Sequence, residues 1–111
     1  MDLQLDTEVR GPWALLSVSG EVDLYTAPQL RERIVELIDE GNHRIVVNLE
    51  KVEFMDSTGL GVLVSGLKRV KEHEGEFALV CTRPQVLRLL TITGLDQVFP
   101  LHATVEEAVK A

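Results

Sequence analysis

Asp56-Ser57-Thr58-Gly59-Leu60-Gly61 is the stretch of this chain best suited to chemistry. Ser57 offers a hydroxyl at what reads as the start of a helix. A hydrolase nucleophile would want the pattern Gly-x-Ser-x-Gly, and residue 55 is Met. No base accompanies the serine either. His43, His73 and His102 are scattered, each in a polar turn or helix end, and read as solvated surface residues. No spacing of His, Cys and paired acids suggests a zinc site. Gly59, Gly61 and Gly66 do not make a dinucleotide fingerprint, and no Gly-Lys-Ser/Thr phosphate loop is present. Neither a metal nor a cofactor is expected. Cys81, in an apolar stretch, reads as a buried structural thiol.

What remains for Ser57 is a helix start unlike the others. Thr26, Thr82 and Thr104 are each followed three residues later by Gln29, Gln85 or Glu107, the spacing of a capping box. With Ser57 as cap, that position falls on Leu60, and no carboxylate compensates the first turn. Gly59 and Gly61 leave the backbone N–H groups open, and such a helix end stabilises an anion. Two readings stay open on these residues alone. Either Ser57 receives a phosphoryl group, or it is an ordinary cap beside glycines that permit close packing.

The elements that must position this segment follow from periodicity. Leu3, Leu5, Thr7 and Val9 alternate with polar residues as in a half-buried strand, and Arg10-Gly11-Pro12 breaks it. Trp13 to Val18 returns as a second strand, making an antiparallel hairpin, with Trp13 as a core or edge filler. Gly20 interrupts, and Glu21-Val22-Asp23-Leu24 leads into a loop where Asp23 suits a turn. Leu30, Ile34, Leu37 and Ile38 mark the first helix, closed by Gly41. Ile45, Val46, Val47 and Leu49 form an interior strand, followed by a loop through Phe54-Met55-Asp56-Ser57. Leu60, Leu63, Val64, Leu67 and Val70 stripe the second helix, with Lys68, Arg69 and Lys71 matched to its dipole. Phe77 to Cys81 is a buried strand. Val86, Leu89 and Leu90 give the third helix, ended by Gly94. Val98-Phe99-Pro100-Leu101 reads as a short edge strand, and Thr104 to Glu107 opens a last helix.

Strands alternating with helices predict one α/β domain over residues 1–111. Its sheet is mixed and mostly parallel, with an antiparallel N-terminal edge strand and about four helices. Eighteen acids against 11 bases give a net charge of -7, so nucleic acid and anionic membrane are not expected partners. Apolar runs such as Leu60 to Val64 fall far short of the roughly 20 residues a bilayer needs. The start Met1-Asp2-Leu3-Gln4 lacks a basic and an apolar region, and one cysteine forms no internal disulfide; a cytoplasmic location is expected.

The motif Asp56-Ser57-Thr58-Gly59-Leu60-Gly61-Val62-Leu63 resembles that of anti-sigma factor antagonists of the STAS domain family. Gly20-Glu21-Val22-Asp23, Thr26-Ala27-Pro28 and Ile92-Thr93-Gly94-Leu95 with Val98-Phe99-Pro100 extend the resemblance over nearly the whole chain. It implies a partner-switching module, not an enzyme. The unphosphorylated form would bind an anti-sigma factor that is itself a serine kinase, and so free a sigma factor. Phosphorylation at Ser57 would break the complex, and a serine phosphatase would reset it. The resemblance also implies that Asp23 lies close to Ser57, and that Asp23, Asp56, Ser57, Thr58, Gly59, Leu60 and Gly61 meet the partner. A scaffold or sensor subunit of a stress-signalling complex is the alternative that the family also fills. Asn48 departs from the family, which commonly has an acid at that position.

Overall fold

The computed structural model describes residues 2–110; Met1 and Ala111 of the expected span lie outside the described residues. Five strands form one sheet in the order β1-β2-β3-β4-β5: Leu3–Arg10, Trp13–Val22, Arg44–Met55, Glu76–Val80 and Leu101–His102. β1 and β2 are antiparallel, joined by a tight turn at Gly11-Pro12 with Arg10 opposite Trp13. Every later pairing is parallel. The crossovers are α1 (Ala27–Asp39), α2 (Ser57–Lys71) and α3 (Pro84–Ile92), and α4 (Val105–Lys110) ends the described chain. This is the single α/β domain with a mixed sheet that the periodicity predicts.

The apolar stripes go where their spacing sends them. Leu30, Ile34, Leu63, Val70, Val86 and Leu90 pack in one cluster with one face of the sheet, including Leu16, Val47 and Leu79. The other face carries a smaller cluster of Trp13, Leu15, Val46, Ala78 and Val80, closed by Ala108 of α4. β3 and β4 are apolar on both faces because helices cover both. Trp13 is a core residue, 2% exposed, with the Arg44 guanidinium 4.5 Å from its ring centroid.

Four local readings need correction. Gly20 does not end β2: its φ of +104° lets the strand bulge and continue to Val22, and a side chain at position 20 itself would collide with the Asp2 carbonyl. The loop expected at Phe54-Met55 is strand, since β3 runs through Met55. Val98 to Pro100 is not strand. A short 3-10 turn, Leu95–Gln97, occupies the approach, and pairing begins at Leu101 because Pro100 has no N–H to donate. His43 and His73 are not isolated: their rings stack with centroids 4.0 Å apart.

Candidate functional site

Val22 and Met55, the last residues of β2 and β3, are register partners in the parallel pair. The next residues, Asp23 and Asp56, therefore leave the sheet side by side at its carboxyl edge, where open α/β sheets place their sites. The Asp56 N–H donates to the Val22 carbonyl at 3.1 Å and ties the two exits together.

Asp56 is the only residue between β3 and α2. Its φ and ψ of -108° and -173° are extended, so it is the N-cap, and Ser57 is the first helical residue. This overturns the reading of Ser57 as cap and of a first turn lacking a carboxylate. The Asp56 carboxylate accepts from the Thr58 N–H at 2.9 Å, from the Gly59 N–H at 3.4 Å and from the Thr58 hydroxyl. The Thr58 hydroxyl holds this carboxyl below its ordinary pKa. The N–H groups of Gly59, Thr58 and Leu24 act in the same sense, against a partial desolvation.

The helix starts thus reverse the expected pattern. α2 has a full side-chain cap, whereas α1 and α3 have none. Thr26 spends its hydroxyl elsewhere, donating to the Glu21 carbonyl at 2.7 Å and accepting from the Asp23 N–H at 2.9 Å. Thr82 binds the Glu50 carboxylate at 2.9 Å and leaves Arg83 as the cap of α3. Only Thr104 behaves as read, accepting from the Glu107 N–H at 3.1 Å.

Asp23 stands at the neighbouring exit with its carboxylate turned into its own loop. It accepts from the Tyr25 N–H at 2.9 Å, the Thr26 N–H at 3.0 Å and the Thr26 hydroxyl at 3.2 Å. The closeness implied for Asp23 and Ser57 is thus a closeness of loops, carried by the Val22–Asp56 bond. Asp23 acts as a turn former.

Ser57 is exposed on the first turn of α2, with Thr58 half-buried beside it. Gly59 and Leu60 are buried, Leu60 at 4% exposure, so neither presents a side chain outward. The two motif glycines differ in kind. A Cβ on Gly59 would sit 2.8 Å from both Met55 and Val22, so α2 rests directly on the strand ends. A Cβ on Gly61 would meet nothing within 4 Å.

The structure also adds residues that motif reasoning passed over. Leu24 and Tyr25 are 64% and 83% exposed at the same edge. Two large apolar residues in a polar loop were the available signal.

The sequence matches the STAS domain family over residues 4–108. The chain belongs to the STAS domain family. Among relatives of this STAS chain, the anti-sigma-B factor antagonist of Staphylococcus aureus is 35% identical over 96% of this chain and 98% of its own length. The crystal structure of an anti-sigma factor antagonist from Mycobacterium paratuberculosis superposes with a TM-score of 0.91 at 32% identity, covering 98% of this chain and 92% of that one. The Bacillus cell fate determinant SpoIIAA in its phosphorylated form superposes with a TM-score of 0.74 at 27% identity, covering 98% and 97%.

Cys81 of the STAS chain lies just past the end of β4, outside the Asp56–Gly61 turn. Cys81 is buried, and desolvation pushes its thiol pKa up, which disfavours the reactive thiolate. Among the described residues no helix is long and apolar enough to cross a membrane.

Proposed function

We propose that this chain is an anti-sigma factor antagonist, a binding module and not a catalyst, switched by phosphorylation of Ser57. In its unphosphorylated form it binds an anti-sigma factor that is also a serine kinase, and a sigma factor is released. A serine phosphatase restores the binding form, and the cycle runs in the cytoplasm. The names of the relatives support the antagonist role. The phosphorylated form of SpoIIAA supports a phosphorylated state for a protein of this kind.

The observation that carries the reading is the position of Ser57. It is exposed at the head of α2, beside a carboxylate whose lone pairs already serve Thr58 and Gly59. A phosphoryl group there adds about -1.5 to -2 charges next to Asp56. It finds the best N–H donors of the first turn already taken. A partner lying on this turn would have to desolvate an anion without a counter-charge, which costs several kcal/mol, on the order of a hundredfold in affinity. Asp23, Asp56, Thr58 and Gly61 belong to the same contact surface, with Gly59 and Leu60 holding it from beneath.

The test is capture from the native cytoplasm with wild type and Ser57→Asp as baits. Wild type is expected to retain a protein that phosphorylates it with ATP, and Ser57→Asp is expected to lose that protein. Fragment mass mapping should find the phosphate on Ser57. Phosphate chiefly on Thr58, or equal capture by both baits, refutes the switch.

A further inference from the structure

An open groove of about 710 Å3 runs between α1 and α2, starting at the switch. Its apolar floor and walls include Leu24, Pro28, Val35 and Val62, and Thr58 lines its near end. Two links make the groove continuous with the Ser57 turn. Thr58 is bonded through its N–H and its hydroxyl to Asp56, and the Leu24 N–H reaches the same carboxylate. Val62 is nearly buried, but Leu24 and Pro28 stand open to solvent. Glu32 and Glu36 are exposed on its α1 side, where Glu36 also meets Arg33 at 3.6 Å, and Arg31 is the one cation on the lining.

We infer that this groove is a docking site for the anti-sigma partner, separate from the hydroxyl that the partner phosphorylates. This rests on the reading given under Proposed function. The occupant is an amphipathic segment of the anti-sigma factor. Its apolar side chains fill the space between Leu24, Val35 and Val62, and a cation beside them faces Glu32 and Glu36. Helix pairs commonly receive an amphipathic segment in this way. A second copy of this chain fits less well. A symmetric contact would enclose Glu32 and Glu36 of both copies with only Arg31 of each as a lining cation, between two chains that each carry -7. Because the groove meets the switch turn at Thr58 and Leu24 and not at Ser57 itself, it holds the kinase to its substrate without taking part in the transfer.

The protein captured by wild type, once purified, is the probe. Leu24→Asp, Val35→Asp and the double variant Glu32→Lys/Glu36→Lys are compared by calorimetry and by phosphorylation kinetics. Each is expected to lose roughly tenfold to a hundredfold in affinity. KM for phosphorylation should rise by a similar factor, while kcat at Ser57 stays unchanged. If Val35→Asp fails to fold, Leu24→Asp decides, since its side chain is 64% exposed. Wild-type affinity in Leu24→Asp overturns the docking site but leaves the switch standing. So does a wild-type dimer in sedimentation that the groove variants abolish. A wild type that binds no kinase removes the parent reading and this inference together.

Discussion

Asp56 links the fold and the proposed switch through a single residue. It caps α2, bonds to Val22 through its backbone N–H, and adjoins Ser57, the residue proposed to take the phosphate. Asp56→Ala should cost about 1 kcal/mol at neutral pH, the usual loss for an N-cap. The pH dependence has a defined sign. A carboxyl held below its ordinary value of 3.8 contributes stability that is fully present above that pH. The contribution is lost as pH falls through the lower folded-state value. Asp56→Asn keeps a good cap without the charge, so chemical denaturation should show wild type and Asn variant converging only below pH 3.8. A constant gap across that range would mean that the carboxylate charge is irrelevant. Phosphorylated Ser57 opposes the same charge, and NMR titration should find the Asp56 carboxyl shifted upward in the phosphoprotein.

At the scale of the element, α2 carries two glycines that answer different demands. Gly59 is required by packing, since any Cβ strikes Met55 and Val22. Gly59→Ala should destabilise by about 1–3 kcal/mol, as overpacked sites do, and push the first turn off the strand ends. Gly61 has no such reason inside the fold, and an exposed helical glycine costs about 0.5–1 kcal/mol relative to alanine. Gly61→Ala should therefore raise the denaturation midpoint. If the partner's backbone or side chains approach α2 here, the same variant should weaken binding. Stability gained together with affinity lost is the expected pair. A Gly61→Ala chain that is both more stable and fully active would place the partner elsewhere.

For the whole molecule, the question is how far a change at Ser57 spreads. Ser57, the proposed switch residue, sits at the carboxyl ends of the parallel strands, on the face covered by α1, α2 and α3. Trp13 starts β2 on the opposite face, in the cluster that α4 covers. It is the only tryptophan, so its emission reports the far side of the sheet. Phosphate on Ser57 gains about 0.3–1 kcal/mol from the α2 dipole and loses a comparable amount to Asp56. The melting temperature should move by no more than about 4–8 °C, and Trp13 emission should stay that of a buried indole. A steep fall in melting temperature, or a red-shifted Trp13 at room temperature, would show that the phosphate acts by unfolding.

Much of this protein is legible in the order of its residues, because short-range patterns carry physical demands that nothing distant can cancel. Leu30, Ile34, Leu37 and Ile38 at helical spacing must be buried on one side, and they are. Ile45 to Leu49 must lie between covered faces, and the mixed sheet follows from the alternation of strand and helix. The exposed serine at the head of α2 was equally visible in its motif. What the sequence did not decide is which polar group pairs with which. Ser57 and Asp56 are both good caps, and the choice fell to Asp56 because β3 stays extended through Met55. Thr26 and Thr82 have the spacing of caps, yet Glu21, Asp23 and Glu50, brought close by the loop and sheet, bind their hydroxyls instead. Asp23 lies beside Asp56 because Val22 and Met55 are partners across two strands, a register set by the packing of both sheet faces. The apolar groove belongs to the same class. Leu24, Val35 and Val62 are far apart in the chain and become one surface only when α1 and α2 pack on the same sheet.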